Sequence, residues 1–375
     1  MEETEPVIIG VPKEIKQDEY RVAAAPSGVE AFRAAGHEVL IQRGAGAGSG
    51  IADKAYQAVG AEIAEEAESV WSRADMVLKV KEPLPEEIPH FREGLLLFSF
   101  LHLAANPDLV EALARVRVDA VAYETIRLPD GTFPLLAPMS EIAGRMAIQE
   151  GAKYLEVPEG GRGVLLAGVP GVEAGTVVIL GGGSVGKNAA KVAVGMGANV
   201  ILLDIDHRQL SYLDDVFGGG LKTLASSAFN IRETIAKADL LVGGVYIAGA
   251  RAPMLVSAEW VHRMKPGSVI VDVAVDQGGC VETTRPTHHR NPTFKVDGVI
   301  HYCVTNMPGA VSRTSTFALT HATLPYTVAL ADGGISGAAA DPTLRQGINV
   351  YRGEVVFQAV AEAVGAGFCP LDDLL

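Results

Sequence analysis

The stretch TVVIL-GGGSVGKN, residues 176–188, constrains the fold most. A β-branched apolar run that enters a glycine cluster and then a helix-forming segment is how a nucleotide-binding unit opens. Two such loops are compatible with the glycines. As G-x-x-x-x-G-K-[ST], Gly181, Gly186 and Lys187 fit a nucleoside-triphosphate loop, but Asn188 stands where a Ser or Thr hydroxyl has to reach Mg²⁺. As G-x-G-x-x-G, Gly181, Gly183 and Gly186 fit a dinucleotide turn, which also needs a strand before it, a helix after it and an acid about 20 residues on. TVVIL supplies the strand, KNAAKVAVGMG the helix, and NVILLD ends in Asp204, 18 residues beyond Gly186. An acid there accepts ribose hydroxyls and repels a 2′-phosphate, so the sequence predicts NAD rather than NADP. Lys187 reads as a solvated lysine of the first helical turn. A second glycine run, RGAGAGSG at 43–50, has no following acid and reads as a tight backbone loop.

Short apolar runs alternate with helical patterns along the whole chain. VIIGV, HEVLIQ, ADMVLKV and LLLFSF precede residue 101, interleaved with PSGVEAFRAAG, the segment around Tyr56 and then NPDLVEALARV. The rhythm restarts at TVVIL and runs through NVILLD, ADLLVGG and GSVIVDVAVD. Such βαβ order predicts parallel sheets covered by helices, and the restart predicts two doubly wound units with a cleft between them. A chain of 375 residues accommodates two domains at about 150 residues each. Residues 140–156 read as a helix, 160–175 as a loop, VIHYCV at 299–304 as a strand, and the remainder as helical, one helix being opened by Asp341 and Pro342.

Composition narrows the partners. A formal charge of −14 disfavours the basic footprint of a nucleic-acid binder. Cys280, Cys303 and Cys369 form no CxxC pair and are too few for a disulfide framework, so a reducing cytoplasm is expected. The acidic start MEETEP lacks a signal pattern, and the apolar run at 240–250 is too short to span a bilayer. A soluble protein with no membrane partner is expected, and no metal-ligating pattern stands out.

Ligands of open parallel sheets sit beyond the carboxyl ends of the strands. Lys79 and Lys81 end MVLKV, His102 follows LLLFSF, Asp276 ends VIVDVAV, and Arg21 precedes the first helix, where a guanidinium can clamp a carboxylate bidentately. Each keeps two readings: Arg21 and Lys81 as ligand contacts or solvated loop charges, His102 as a proton carrier or a structural histidine, Asp276 as a catalytic carboxylate or a turn cap. Of the two lysines, Lys81 lies further past the strand, beside Pro83, so it is expected to face the ligand, and replacement of Lys81 is expected to damage substrate binding much more than replacement of Lys79. Tyr123 and Glu124 look strand-terminal and receive no role. Cys280 and Cys303 read as small buried residues.

VPKEIKQDEYRVAAAP, VLKVKEP, FSFLHLA, YETI, LLAPMSEIAGRMA, VDVAVDQGGC and NMPGAVSRTSTFALTHATLPY follow one another as the motifs of the alanine dehydrogenase family do, and the chain resembles that family over essentially its whole length. The resemblance implies two Rossmann-like domains, a substrate domain of residues 1–134 and 313–375 and an NAD domain of residues 135–312. It implies a homohexamer and the reversible conversion of alanine, NAD and water to pyruvate, ammonia and NADH. Carried over by motif, Arg21 and Lys81 are substrate ligands and His102 and Asp276 the acid/base pair. Cofactor positions so implied are Ser140, Gly181, Gly183, Ser184, Val185, Gly186, Asp204, Ser226, Val245, Val273, Asp276, Arg285, Asn306 and Met307. Two departures touch the adenosine side: Ser184 and Lys187 within the glycine loop, and Gln209, with Arg208 adjacent, where a basic residue often follows the ribose acid. Competing readings are the NAD-binding subunit of a proton-translocating transhydrogenase, whose pattern lacks the FLHLA histidine, and a non-catalytic NAD-binding scaffold.

Overall fold

The computed structural model describes residues 6–245 and 252–375; most of MEETEP and the end of the apolar run at 240–250 lie outside them. In chain order the strands are β1 (Ile8–Val11), β2 (Glu38–Gln42), β3 (Glu62–Ala64), β4 (Met76–Leu78), β5 (Leu96–Ser99), β6 (Asp119–Ala122), β7 (Thr176–Leu180), β8 (Asn199–Asp204), β9 (Lys222–Ala225), β10 (Leu240–Gly243), β11 (Val269–Asp272), β12 (Thr293–Val296), β13 (Val299–Tyr302), β14 (Ile348–Tyr351) and β15 (Glu354–Val355). The helices are α1 (Pro26–Ala34), α2 (Asp53–Gln57), α3 (Ala67–Arg73), α4 (Pro107–Val116), α5 (Ala137–Tyr154), α6 (Ser184–Gly195), α7 (His207–Phe217), α8 (Ala228–Ile235), α9 (Ala258–His262), α10 (Ser312–Ala340) and α11 (Gln358–Val364). The chain divides into one compact unit of residues 1–139 and 311–375 and another of residues 140–310, where the sequence puts the boundaries at 134/135 and 312/313.

The first unit holds a sheet ordered β15-β14-β6-β5-β4-β1-β2-β3. From β6 to β3 every pairing is parallel, which buries both faces and explains why these strands read as near-continuous apolar runs. Alternation still sorts them: Met76 and Leu78 pack with Ile9, Val11 and Phe98 on one face, while Val77 joins Trp71, Leu97 and Leu113 on the other. Pro26 and Pro107 occupy the first turns of α1 and α4, where a missing N–H costs nothing.

The second unit holds a sheet ordered β12-β13-β11-β10-β7-β8-β9, parallel except for the β12–β13 pair. Its central strands β7, β10 and β11 are almost entirely buried. Ser227 and Ser257 cap α8 and α9 by accepting hydrogen bonds from Asn230 N and Trp260 N. Gly144 of α5 is required by packing, since a Cβ there would lie 2.1 Å from Val185 O of α6.

The C-terminal segment departs from the helical reading. Asp341 accepts from Thr343 N at 2.7 Å and Leu344 N at 3.0 Å, but it caps a short 3₁₀ turn, Leu344–Gly347, and the chain then adds β14 antiparallel to β6 and β15 antiparallel to β14. INVY is too short to announce itself; the edge of β6 recruits it. The long α10 carries Pro325 and is interrupted at Gly334, with φ 55° and ψ −156°.

Candidate functional site

In each sheet consecutive strands run outward in one direction and then return to the other side of the starting strand. Adjacent loops diverge at that switch point and leave a crevice beyond the strand ends. In the second unit the switch lies between β7 and β10. There Ser140, Gly181, Gly183, Ser184, Val185, Asp204, Ser226 and Val245 line a cavity of about 390 Å³, together with Leu203, Ile205, Gly244, Pro253 and Leu255.

The three motif glycines serve different physical needs. Gly181 has φ +93°, and a Cβ on it would stand 3.0 Å from Gly244 O. Gly183 is the N-cap of α6 and has open space beside it, so a ligand can approach the backbone. Gly186 allows the helix to close onto the turn: a Cβ would sit 1.8 Å from Gly181 O. Gly186→Ala is therefore expected to force the turn open and weaken nucleotide binding at least tenfold, an effect read by equilibrium titration with a dinucleotide. Asp204, at the end of β8, accepts from Gly182 N and, through Oδ1, from Asp206 N at 2.8 Å, while Gln209 Nε2 donates to Gly182 O. The acid and the glutamine thus hold the phosphate turn, an arrangement absent from the linear motif.

Asn188 answers the opening ambiguity. Buried, it donates from Nδ2 to Ser184 O at 2.9 Å and accepts from Arg145 Nε at 3.0 Å, so its amide braces the first turn of α6. Lys187, in the first turn of α6, is half-buried, its ammonium over the exposed Tyr212 ring at 5.6 Å from the centroid. An aromatic ring on α7 is invisible to a local reading of the loop.

Asp276 is not at a strand end. β11 stops at Asp272, and Asp276 lies exposed in the following 3₁₀ turn, Val273–Gln277. The side chain that organises this loop is Asp272, which sequence reasoning passed over. Fully buried, it accepts from Ala274 N at 3.0 Å, Cys280 N at 3.0 Å, Val281 N at 3.3 Å and Thr284 Oγ1 at 2.8 Å. Burial raises its pKa, against those donors. The first Asp in VDVAVD was the available signal. Cys280 and Cys303 are buried, and burial foremost pushes both thiols up, Cys303 to about 12. Val273 is half-buried, Arg285 covers the Phe294 ring at 4.4 Å, the Asn306 carbonyl pairs with His289 Nε2 at 2.8 Å, and Met307 is buried; these four do not line the cavity.

In the first unit the switch lies between β1 and β4, and the loops after β1, β4 and β5 carry Arg21, Lys81 and His102. Arg21 is buried, and its bidentate edge is taken by Glu19, with Nε 2.6 Å from Oε1 and Nη2 2.5 Å from Oε2; Nη1 meets Met139 Sδ at 3.0 Å. A buried guanidinium needs such a counter-charge, and Glu19 supplies it. Burial pushes the Glu19 carboxyl up, but the hydrogen bonds and charge of Arg21 outweigh it and bring the pKa below the usual range. Lys81 is half-buried, and among the described residues no carboxylate pairs with its ammonium. Desolvation, then the like charge of Arg21, lowers its pKa.

Lys79 behaves otherwise than expected. β4 ends at Leu78, and the Lys79 side chain turns inside to pair with Glu14 at 3.0 Å and Glu87 at 2.8 Å, its exposure 0%. Glu14 Oε1 in turn accepts from Val80 N at 2.6 Å and Lys81 N at 3.4 Å, which fixes the backbone that carries Lys81. Lys79 is thus a buried ion held by two carboxylates, and its loss is expected to cost stability.

His102 projects from a left-handed turn, φ 48°, an exposed residue whose ring stacks on Phe100, their centroids 6.0 Å apart. Desolvation by the packing around the ring lowers its pKa, aided by Lys81 and Lys16 and opposed by Glu124 and Glu82. Among the described residues no cluster of side chains suits a metal ion, and no helix is long and apolar enough to cross a membrane.

Known proteins share this plan throughout. Family models for the alanine dehydrogenase/PNT N-terminal and C-terminal domains match residues 10–143 and 147–358. An alanine dehydrogenase of Methanococcus maripaludis is 57% identical over 98% of this chain and 100% of its own. A solved L-alanine dehydrogenase superposes with a TM-score of 0.93 at 52% identity, covering 98% of this chain and 100% of that one. A transhydrogenase from Sinorhizobium meliloti, 25% identical, gives 0.81 over 94% and 99%. The greater likeness, in sequence and in fold alike, is to the dehydrogenases, and the chain belongs to the alanine dehydrogenase/PNT family as an oxidoreductase of its alanine dehydrogenase branch.

Proposed function

We propose that NAD is the cofactor with which this chain interconverts alanine and pyruvate, that Arg21 and Lys81 bind the substrate, and that His102 and Asp276 move its protons. The observation that carries the cofactor reading is the glycine turn and Asp204 lining one cavity at a sheet switch point. The open face at Gly183 and the start of α6 suit a pyrophosphate, and a carboxylate at 204 suits free ribose hydroxyls over a 2′-phosphate. Bound NAD supplies the hydride acceptor. Lys81, with no carboxylate paired to its ammonium among the described residues, offers its charge to the substrate carboxylate or the keto oxygen; Arg21, oriented by Glu19, supplies the second cation. The lowered pKa of His102 keeps its imidazole neutral near pH 7, ready to take a proton as water adds to the imine of the oxidised amino acid. Asp276, exposed on its loop, serves as the second group of the acid/base pair, activating water or stabilising the cationic imine. A homohexamer acting in the cytoplasm completes this reading, on family resemblance.

The decisive assay is NADH oxidation with pyruvate, with and without ammonium. Ammonium-dependent turnover is expected; its absence would overturn the assignment in favour of the transhydrogenase-type or scaffold readings. Asp204→Ala is expected to weaken NAD binding by roughly 10- to 100-fold, the range for charged hydrogen bonds lost at a part-buried site. NAD affinity unchanged in that variant, or natural-enzyme kinetics with NADP equal to those with NAD, would remove Asp204 from the ribose.

A further inference from the structure

We propose that Glu124 is the positioning residue of His102: its carboxylate seats the left-handed turn that carries the imidazole and so governs how well the ring exchanges protons with substrate. The inference rests on the role of His102 given above and adds to it a residue that touches only the turn.

β5 and β6 are parallel neighbours, with Ser99 opposite Ala122, so the turns that follow them lie side by side. Glu124 sits in the 3₁₀ turn after β6, Tyr123–Thr125, half-buried. Its Oε1 accepts from His102 N at 2.6 Å, and both oxygens lie 3.2 Å from Leu101 N. Those amides belong to the residue with φ 48° and the one before it, a conformation non-glycine residues hold only when surroundings impose it. The other end of the turn is fixed as well: the His102 carbonyl accepts from Asn106 Nδ2 at 3.0 Å and Ala105 N at 3.0 Å. Asn106 and Ala105 bring no charge, whereas Glu124 does. The charged groups around the imidazole are Glu124 and Glu82, which favour its protonated form, and Lys81 and Lys16, which disfavour it. Glu82 is already engaged by Lys16 through one oxygen. Glu124 therefore acts on geometry and on charge together, and a carboxamide separates the two.

Glu124→Ala frees both amides and is expected to lower kcat by roughly 10- to 100-fold, the scale of a misplaced catalytic group, with KM for pyruvate and NADH affinity nearly unchanged. Glu124→Gln retains a carbonyl acceptor for His102 N and is expected to hold kcat within about tenfold of the natural enzyme. Having lost the negative charge, that variant should also show the His102 ring titrating at lower pH, followed by NMR on histidine-labelled protein and assigned by the signal missing in His102→Asn. A titration unmoved in Glu124→Gln overturns the proposal, as does natural kcat in Glu124→Ala. If the alanine variant fails to fold, the titration of the glutamine variant decides. Failure of the underlying reading appears separately, as turnover retained in His102→Asn.

Discussion

Replacing His102 with alanine is expected to lower kcat by roughly 10² or more, since general acid/base help contributes about 10² to 10⁴ in rate. NAD affinity should stay as it is, because the glycine turn, Asp204 and the cavity around them belong to the other unit. Alanine is strained at φ 48°, so His102→Asn, which tolerates the left-handed region, distinguishes loss of the ring from loss of the turn. Both variants should be equally impaired. The pH profile gives a second readout. In alanine oxidation the neutral imidazole is the proton acceptor, and its pKa is lowered by desolvation and by Lys81 and Lys16. The acid limb of kcat/KM should therefore have its midpoint below the ordinary histidine value of about 6.5 and should be missing from either variant's residual activity. A natural profile and turnover in both variants would take His102 out of the chemistry.

Lys79→Ala is expected to destabilise the first unit by about 3–5 kcal/mol, the cost of removing one partner from a buried charge pair. Glu14 and Glu87 would face each other without the ammonium that lies 3.0 Å and 2.8 Å from them. Burial already raises the Glu14 pKa against the attraction of Lys79. Lys79→Met keeps most of the side-chain volume and should be about as damaging, which would separate charge from packing. Combining it with Glu14→Gln and Glu87→Gln removes the stranded charges and should recover part of the loss. Urea denaturation of the four proteins measures this. Turnover should fall with folded fraction; a Lys79→Ala variant as stable as the natural chain would show that the triad is not what holds the end of β4.

The placing of the candidate residues beyond the strand ends could be read from the chain because parallel sheets tie position to order. Once VLKVKEP, FSFLHLA and the glycine turn read as strand ends, Lys81, His102 and Gly181 had to emerge on the ligand side. The cofactor turn was equally legible, since Gly186 meets a steric demand that no other residue satisfies. Local patterns were silent wherever a residue's role depends on which partner the folded chain brings to it. Lys79 and Lys81 are two apart and alike in sequence, yet Glu14 and Glu87 draw Lys79 fully inside while Lys81 stays half-buried. Arg21 had the right chemistry for a carboxylate, but Glu19, two residues away, takes its bidentate edge once both are buried. Asp272 and Glu124 stand inside VDVAVDQGGC and YETI, but which amides they hold shows only once the loops have folded. The strands β14 and β15 exist because β6 leaves an open edge, a vacancy that a reading of INVY cannot see. By itself the sequence determined the strand and helix periodicity, the glycine geometry and which residue types reach the strand ends, since these depend on neighbours within a few residues. Tertiary structure alone decided which of those charges are neutralised inside, because desolvation and ion pairing depend on distances that only the folded chain sets.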